Sequence, residues 1–182
     1  MPTVFDVAAF VLGRTGDTTA TRLQGLVYYS QAWSVAWGHG ALFGESIEAW
    51  DQGPVVRLLW EARRGARCVD VADLAGMGDP TALSSDQCDD IDAVLQVYGR
   101  FTPEELSDMT HHEEPWVRAY QWRMTITPAM LGRYYREVDV TREPSKAEGA
   151  FLLKTLLAKV TPQNQHEVLD WGDHVGQEQE PW

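Results

Sequence analysis

Thr19-Ala20-Thr21-Arg22-Leu23-Gln24-Gly25-Leu26-Val27-Tyr28-Tyr29-Ser30-Gln31-Ala32-Trp33-Ser34-Val35-Ala36-Trp37 is the stretch on which the rest of the reading turns. Leu23, Leu26, Val27, Ser30, Trp33 and Trp37 recur at spacings of three and four, the period of one helix face. Tyr28, Tyr29 and Val35 carry apolar character around the cylinder, as a helix buried on most sides requires. Gly38 follows in the usual terminating position. The aromatic stripe Tyr29, Trp33, Trp37 has the spacing of packing rather than of a platform for stacking bases.

Upstream, Thr3 is placed to cap a helix through about Leu12, and Gly13 to Asp17 reads as a turn. Downstream, Ala41 to Trp50 is extended in character. Asp51-Gln52-Gly53-Pro54 combines a turn with a helix start, Pro54 suiting the first helical position because its missing N–H would be unpaired there anyway. Val55, Leu58, Leu59 and Ala62 carry that helix to Gly65. Arg67 to Ser84 reads as a loop with at most one short strand. Ser84 and Ser85 cap a helix with Ile91, Val94, Leu95 and Tyr98 inside, and Thr102-Pro103-Glu104-Glu105 caps another that reaches Met109. His111 to Pro115 is a break, followed by a helix through Trp122; Thr127-Pro128 starts one more, to about Val138. The expected architecture is mainly α: a compact helical domain over residues 1–140, then an amphipathic helix and an extended acidic tail, ordered by a partner, over residues 141–182.

Composition narrows the function. The chain has 182 residues, 44% hydrophobic, with 15 Lys plus Arg against 27 Asp plus Glu and a net charge of -12. A phosphate backbone repels so acidic a surface, so DNA binding is not expected without a partner. The dense arginines, Arg57, Arg63, Arg64 and Arg67, read as a solvated helix face. Two cysteines, Cys68 and Cys88, make neither a disulfide framework nor a metal knuckle. The start has no basic segment before its apolar run, and the longest apolar run, Val7 to Leu12, cannot span a bilayer. The chain reads as a soluble cytoplasmic protein.

No catalytic residue, metal site or cofactor is expected. His111-His112-Glu113-Glu114 is the one cluster that invites a metal, but neighbouring helical residues point about 100° apart and do not converge. It reads instead as a helix start, with His and carboxylates capping free N–H groups. Paired acids such as Asp89-Asp90 and Glu104-Glu105 lie at helix starts, where the helix dipole accounts for them.

Several stretches, in order, carry a resemblance. Leu23-Gln24-x-Leu26-x-Tyr28-Tyr29-x-Gln31-Ala32-Trp33 is followed by Leu42-Phe43-x-Glu45-x-Ile47-Glu48-Ala49-Trp50 and Gly53-Pro54-Val55-Val56. Tyr98-Gly99 comes next, then Leu106-Ser107-x-Met109-Thr110-His111-x-Glu113-x-Pro115-Trp116. Together they resemble the Panacea domain of SocA-like antitoxins over most of residues 4 to 138. The resemblance singles out Leu23, Gln24, Tyr28, Tyr29, Trp33, Glu48, Trp50, Gly53, Pro54, Val55, Thr110, His111, Pro115 and Trp116. It implies two capped breaks, one positioning a buried Trp50 and the other facing it. Gly25 departs from the pattern, which usually has Lys there, and a helical Gly costs about 1 kcal/mol relative to Ala.

A second resemblance lies at the other end. From Thr161 to Trp182 there is no Lys or Arg, while Glu167, Asp170, Asp173, Glu178 and Glu180 accompany two tryptophans. Such a segment has too few apolar groups to order itself. Leu156 to His166, then Asp170-Trp171-Gly172-x-x-Val175-Gly176-x-Glu178, is similar to the tail of MazE/PemI-type antitoxins. The resemblance implies a cognate toxin of the MazF/PemK endoribonuclease type, whose basic RNA groove the acidic tail would occupy. Phe151, Leu152, Leu156 and Leu157 would lay a helix in an apolar slot; Leu169, Asp170, Trp171, Val175, Glu178 and Trp182 would follow beside the groove. A ClpXP- or Lon-type protease is a second implied partner, and a homodimer stays open. The alternative reading is a SocA-like adaptor that hands a toxin to a ClpXP-type protease through the globular domain.

Overall fold

The computed structural model describes residues 1–137. The chain runs through α1 (Val4–Thr15), β1 (Thr18–Thr19), α2 (Ala20–Trp37), β2 (Ile47–Trp50), β3 (Gly53–Val56), α3 (Arg57–Ala62) and β4 (Cys68–Val69). Two 3-10 turns at Ala72–Leu74 and Pro80–Ala82 lead to α4 (Ser85–Tyr98), α5 (Pro103–His111), α6 (Glu114–Trp122), β5 (Thr125–Ile126) and α7 (Pro128–Glu137). The expectation of a mainly helical domain holds. The amphipathic segment from Lys146 and the tail sites from Phe151 to Trp182 lie outside the described residues.

Local chemistry starts the helices where the sequence places them. Thr3 accepts the Asp6 N–H at 3.4 Å while the Asp6 carboxylate accepts from the Thr3 N–H at 2.7 Å. Ser84 with Gln87 and Thr102 with Glu105 repeat this reciprocal box on α4 and α5. Thr19 accepts from the Arg22 N–H at 3.2 Å, and Gly38 ends α2 in the left-handed conformation. Two ends shift: α1 continues through the expected turn to Thr15, and α5 runs two residues past Met109 to His111.

α2 is the central rod. Every residue from Leu23 to Val35 is buried, under cover from α1, α4, α5, α7 and the hairpin. Arg22 ties its first turns to the end of α4, donating to the Phe101 carbonyl at 3.0 Å and to the Gly99 carbonyl.

The expected helix start at Gly53-Pro54 is corrected by the structure. Gly53–Val56 is a strand, Asp51 and Gln52 form a hairpin turn, and the helix begins only at Arg57. β2 pairs antiparallel with β3, with Trp50 opposite Gly53 and Ile47 opposite Val56, and on its other side with β5. Pro54 is tolerated because β3 is at the sheet edge, where no further strand needs its N–H. Instead Gln24 covers that edge: its Oε1 accepts the Val56 N–H at 2.8 Å and its Nε2 donates to the Val56 carbonyl at 3.3 Å.

Candidate functional site

The Panacea-motif residues divide into two constellations. The first lines a cleft of about 140 Å³ between the start of α2, the hairpin, Trp60 of α3 and the start of α5. Gln24, Trp50, Pro54 and Val55 are motif residues on its wall; Gly25, Gln52, Trp60, Leu106 and Ser107 share it. Trp50 is half-buried rather than buried, correcting the expectation for it. Its ring meets Trp60 edge to face, centroids 5.1 Å apart. Its indole N–H donates to Glu48 Oε2 at 2.8 Å, and the same carboxylate takes two bonds from Arg57 at 2.7 and 2.8 Å. Hydrogen bonding to the Arg57 guanidinium holds the Glu48 carboxyl below its ordinary range. The Arg57 guanidinium in turn lies 5.3 Å from the Trp50 ring centroid, so Glu48, Trp50 and Arg57 hold one another in place.

Glycine at position 25 follows from this packing. A Cβ there would come 3.1 Å from Leu106 Cδ1, so α2 and α5 approach closely enough that Leu106 would have to shift by a few tenths of an ångström to admit it. The contact offsets what the helix loses in propensity. Gly53 has φ +112, and a Cβ on it would point at Thr110 Oγ1, 3.4 Å away. The two motif breaks therefore face each other, as the resemblance implies.

The second constellation is internal. Glu113 has no capping bond at the start of α6, against the expectation for the His-Glu run. Its carboxylate turns into the core and accepts from Tyr135 at 2.6 Å, Tyr29 at 3.0 Å and Tyr28 at 3.4 Å. Burial pushes this carboxyl up to about 7, an effect the three hydroxyls only partly oppose. Beside it, Tyr29 stacks on Tyr98 at 3.9 Å, and Trp33 Nε1 donates to the Tyr98 hydroxyl at 3.1 Å. Trp33 and Leu23 are buried, as the periodicity of α2 predicts. His111 and His112 point elsewhere: His111 packs on Trp116 at 4.2 Å, and His112 Nδ1 lies 2.7 Å from the Asp108 carbonyl. Pro115 lies in the first turn of α6, as expected, and is buried; Thr110 donates to the Ser107 carbonyl at 2.8 Å.

Gly25, Trp60, Leu106, Tyr98 and Tyr135 were not among the expected site residues, and Glu113 was expected only as a capping carboxylate of the His-Glu run. Its place inside the Thr110–Trp116 motif was a second signal. Tyr135 had none, because its partners lie 22 and 107 residues away.

A helical domain with a preformed aromatic cleft and a polar cluster sealed inside it has the features of a binding protein. The family model for SocA-like antitoxins, Panacea domain, matches residues 23–117, more than half of the chain. The chain belongs to this family. No curated protein and no solved structure matches it. Membership gives it a general role in toxin–antitoxin regulation, with a protein as partner. Among the described residues, no helix is long and apolar enough to cross a membrane.

Proposed function

We propose that the protein is a cytoplasmic antitoxin that neutralises a MazF/PemK-like endoribonuclease by direct binding. Residues 1–140 form the Panacea domain, and residues 141–182 cover the toxin's RNA site. The observation that carries this reading is the order of the C-terminal sequence in a chain of an antitoxin family. An amphipathic segment carrying Phe151, Leu152, Leu156 and Leu157 precedes Asp170, Trp171, Val175, Glu178 and Trp182, with no Lys or Arg after Lys159. An RNA-cleaving toxin must present a basic groove, to which such a segment is complementary in charge. Inhibition is stoichiometric and needs no catalytic group.

One observation favours a second reading, capture through the globular domain and delivery to a ClpXP-type protease. Gln24, Trp50, Pro54 and Val55 line an open cleft that the described residues leave unfilled. An aromatic-lined cavity of that size accepts one large apolar side chain of a partner.

Growth rescue separates the two. The cognate toxin is co-expressed with the full chain, with a chain lacking residues 145–182, and with the full chain carrying Trp60→Ala, in cells with and without ClpP. Occlusion by the tail requires that the truncation alone lose rescue, in both cell types. Delivery requires that Trp60→Ala and loss of ClpP abolish rescue while the truncation keeps it.

A further inference from the structure

The cleft beside the hairpin is walled by Trp50 and Trp60, which meet edge to face, and bounded by Pro54, Val55 and Leu106. The described residues leave about 140 Å³ of it unfilled. Gln52 and Ser107 share the wall, and their side chains offer acceptors of the kind a buried indole N–H requires. An aromatic slot with such a rim fits one more indole ring.

Charge selects the kind of segment that brings it. Residues 57–67 hold Arg57, Arg63, Arg64 and Arg67 against one acid, Glu61, in a chain whose net charge is -12. Two of these arginines stand on the cleft walls. The Arg57 guanidinium lies 5.3 Å from the Trp50 ring centroid, and that of Arg64 lies 5.2 Å from the Trp60 centroid. Arg57 shares its charge with Glu48, and Arg63 pairs with Asp73 at 2.6 Å. Arg64 and Arg67 are exposed and form no ion pair with a described residue. A segment complementary to this face is acidic, with an aromatic side chain between its carboxylates.

The chain carries such a segment outside the described residues. Leu169-Asp170-Trp171-Gly172-Asp173 sets a tryptophan between two carboxylates, in a stretch with no Lys or Arg. Trp182 has its acids, Glu178 and Glu180, on one side only. The distance to be covered is short. Near the end of α7, Arg136 donates to the Val35 carbonyl, toward the C-terminal end of α2, and the cleft lies about 20 Å back along that helix. From 137 to 171 the chain spans about 50 Å even if wholly helical, and more if extended. Tethering also sets an effective concentration on the order of a millimolar, so a contact too weak to hold a separate peptide is filled.

We propose that in the toxin-free protein this acidic segment lies on its own domain, with the Trp171 indole in the Trp50–Trp60 cleft and Asp170 and Asp173 beside Arg57 and Arg64. On the tail-occlusion reading, a toxin must then draw the segment away, so that its binding both unmasks Trp171 and opens the cleft. The docking itself does not depend on that reading and is tested without a toxin.

The test is fluorine NMR of the full chain labelled with 5-fluorotryptophan, in which the isotope shift between light and heavy water reads the exposure of each indole. The signals of Trp171 and Trp182 are assigned by their loss in Trp171→Phe and Trp182→Phe. Docked for most of the time, Trp171 should show less than about half the isotope shift of free 5-fluorotryptophan. A fully exposed Trp171 overturns the proposal. Gly25→Leu, whose side chain extends into the cleft, should restore the full shift to Trp171 and leave Trp182 unchanged. Shielding of Trp171 that persists in this variant puts the ring elsewhere and overturns the cleft as its site. If Gly25→Leu does not fold, Trp60→Ala decides in the same way. Dilution by about tenfold should leave the Trp171 signal in place, because an intramolecular contact is independent of concentration. A signal that moves on dilution makes a second copy the occupant and overturns the proposal.

Discussion

Gln24 and Gln31 stand seven residues apart on one face of α2, and each commits its whole side-chain amide to a stretch of main chain. Gln24 pairs with the N–H and carbonyl of Val56. Gln31 Oε1 accepts from Leu42 and Phe43 at 2.7 and 3.3 Å while its Nε2 donates to the Phe43 carbonyl at 3.0 Å. A helix thus supplies the partners that a neighbouring strand would, and pins the connection before β2 and the edge of β3.

Replacing either amide by an isosteric apolar group leaves buried main-chain groups unpaired, each at about 1–3 kcal/mol. Gln24→Leu and Gln31→Leu should each lose about 2–4 kcal/mol in urea denaturation. A loss under about 0.5 kcal/mol would mean that water reaches those groups and the amides are dispensable.

Glu113 makes stability depend on pH in a direction opposite to that of an ordinary carboxylate. Its folded value is about 7 against 4.5 in an exposed chain, so the folded state binds the proton more tightly. Its stability contribution is complete below about pH 4.5 and is lost as pH rises to 7, about 3 kcal/mol in all. Glu113→Gln should therefore exceed the parent in stability at pH 8 and match it near pH 5. Denaturation midpoints of the two proteins across this range provide the check, and parallel curves would contradict the assignment.

Gly25 sets two effects against each other. Alanine in a helix gains about 1 kcal/mol over glycine, but its Cβ would press on a buried Leu106 at 3.1 Å. Gly25→Ala should thus stay within about 1 kcal/mol of the parent. Gly25→Leu is a different case, since its side chain extends into the cleft. If a toxin side chain docks there, this variant should weaken toxin binding at least about tenfold in calorimetry while keeping its helical circular dichroism. Unchanged affinity would remove the cleft from the interface.

Gly53 is constrained by its backbone rather than by crowding. Its φ of +112 is one that L side chains rarely adopt, whereas Thr110 Oγ1, 3.4 Å from the position of a Cβ, is at ordinary contact distance. Gly53→Ala should cost about 1–3 kcal/mol of strain. Thr110→Ala, which removes that oxygen, should not rescue it. Melting temperatures of the single and double variants test both statements, and rescue by Thr110→Ala would return the effect to steric contact.

Much of the domain was legible in the chain itself. Thr3, Thr19, Ser84 and Thr102 announce their helices because a cap is a bond between residues three apart, and no distant contact has to agree with it. The buried character of α2 was equally plain, since its apolar residues surround the cylinder. Pro54 was not. A proline after a turn that ends in glycine suits a helix start and an edge strand alike, and it is Gln24, thirty residues earlier, with β2 alongside, that selects the strand.

The sequence by itself therefore determined what short-range hydrogen bonding and periodicity dictate: the helices, their caps, and the ordered motifs that place the chain among Panacea-domain antitoxins. Only the tertiary structure decided where those motifs come together. It divided them between an aromatic cleft at the hairpin and a sealed cluster around Glu113. The physical reason is that a carboxylate after two histidines has the same local options whether it caps a helix or enters the core. The outcome depends on Tyr28, Tyr29 and Tyr135, hydroxyls that only folding brings within 3.4 Å of it.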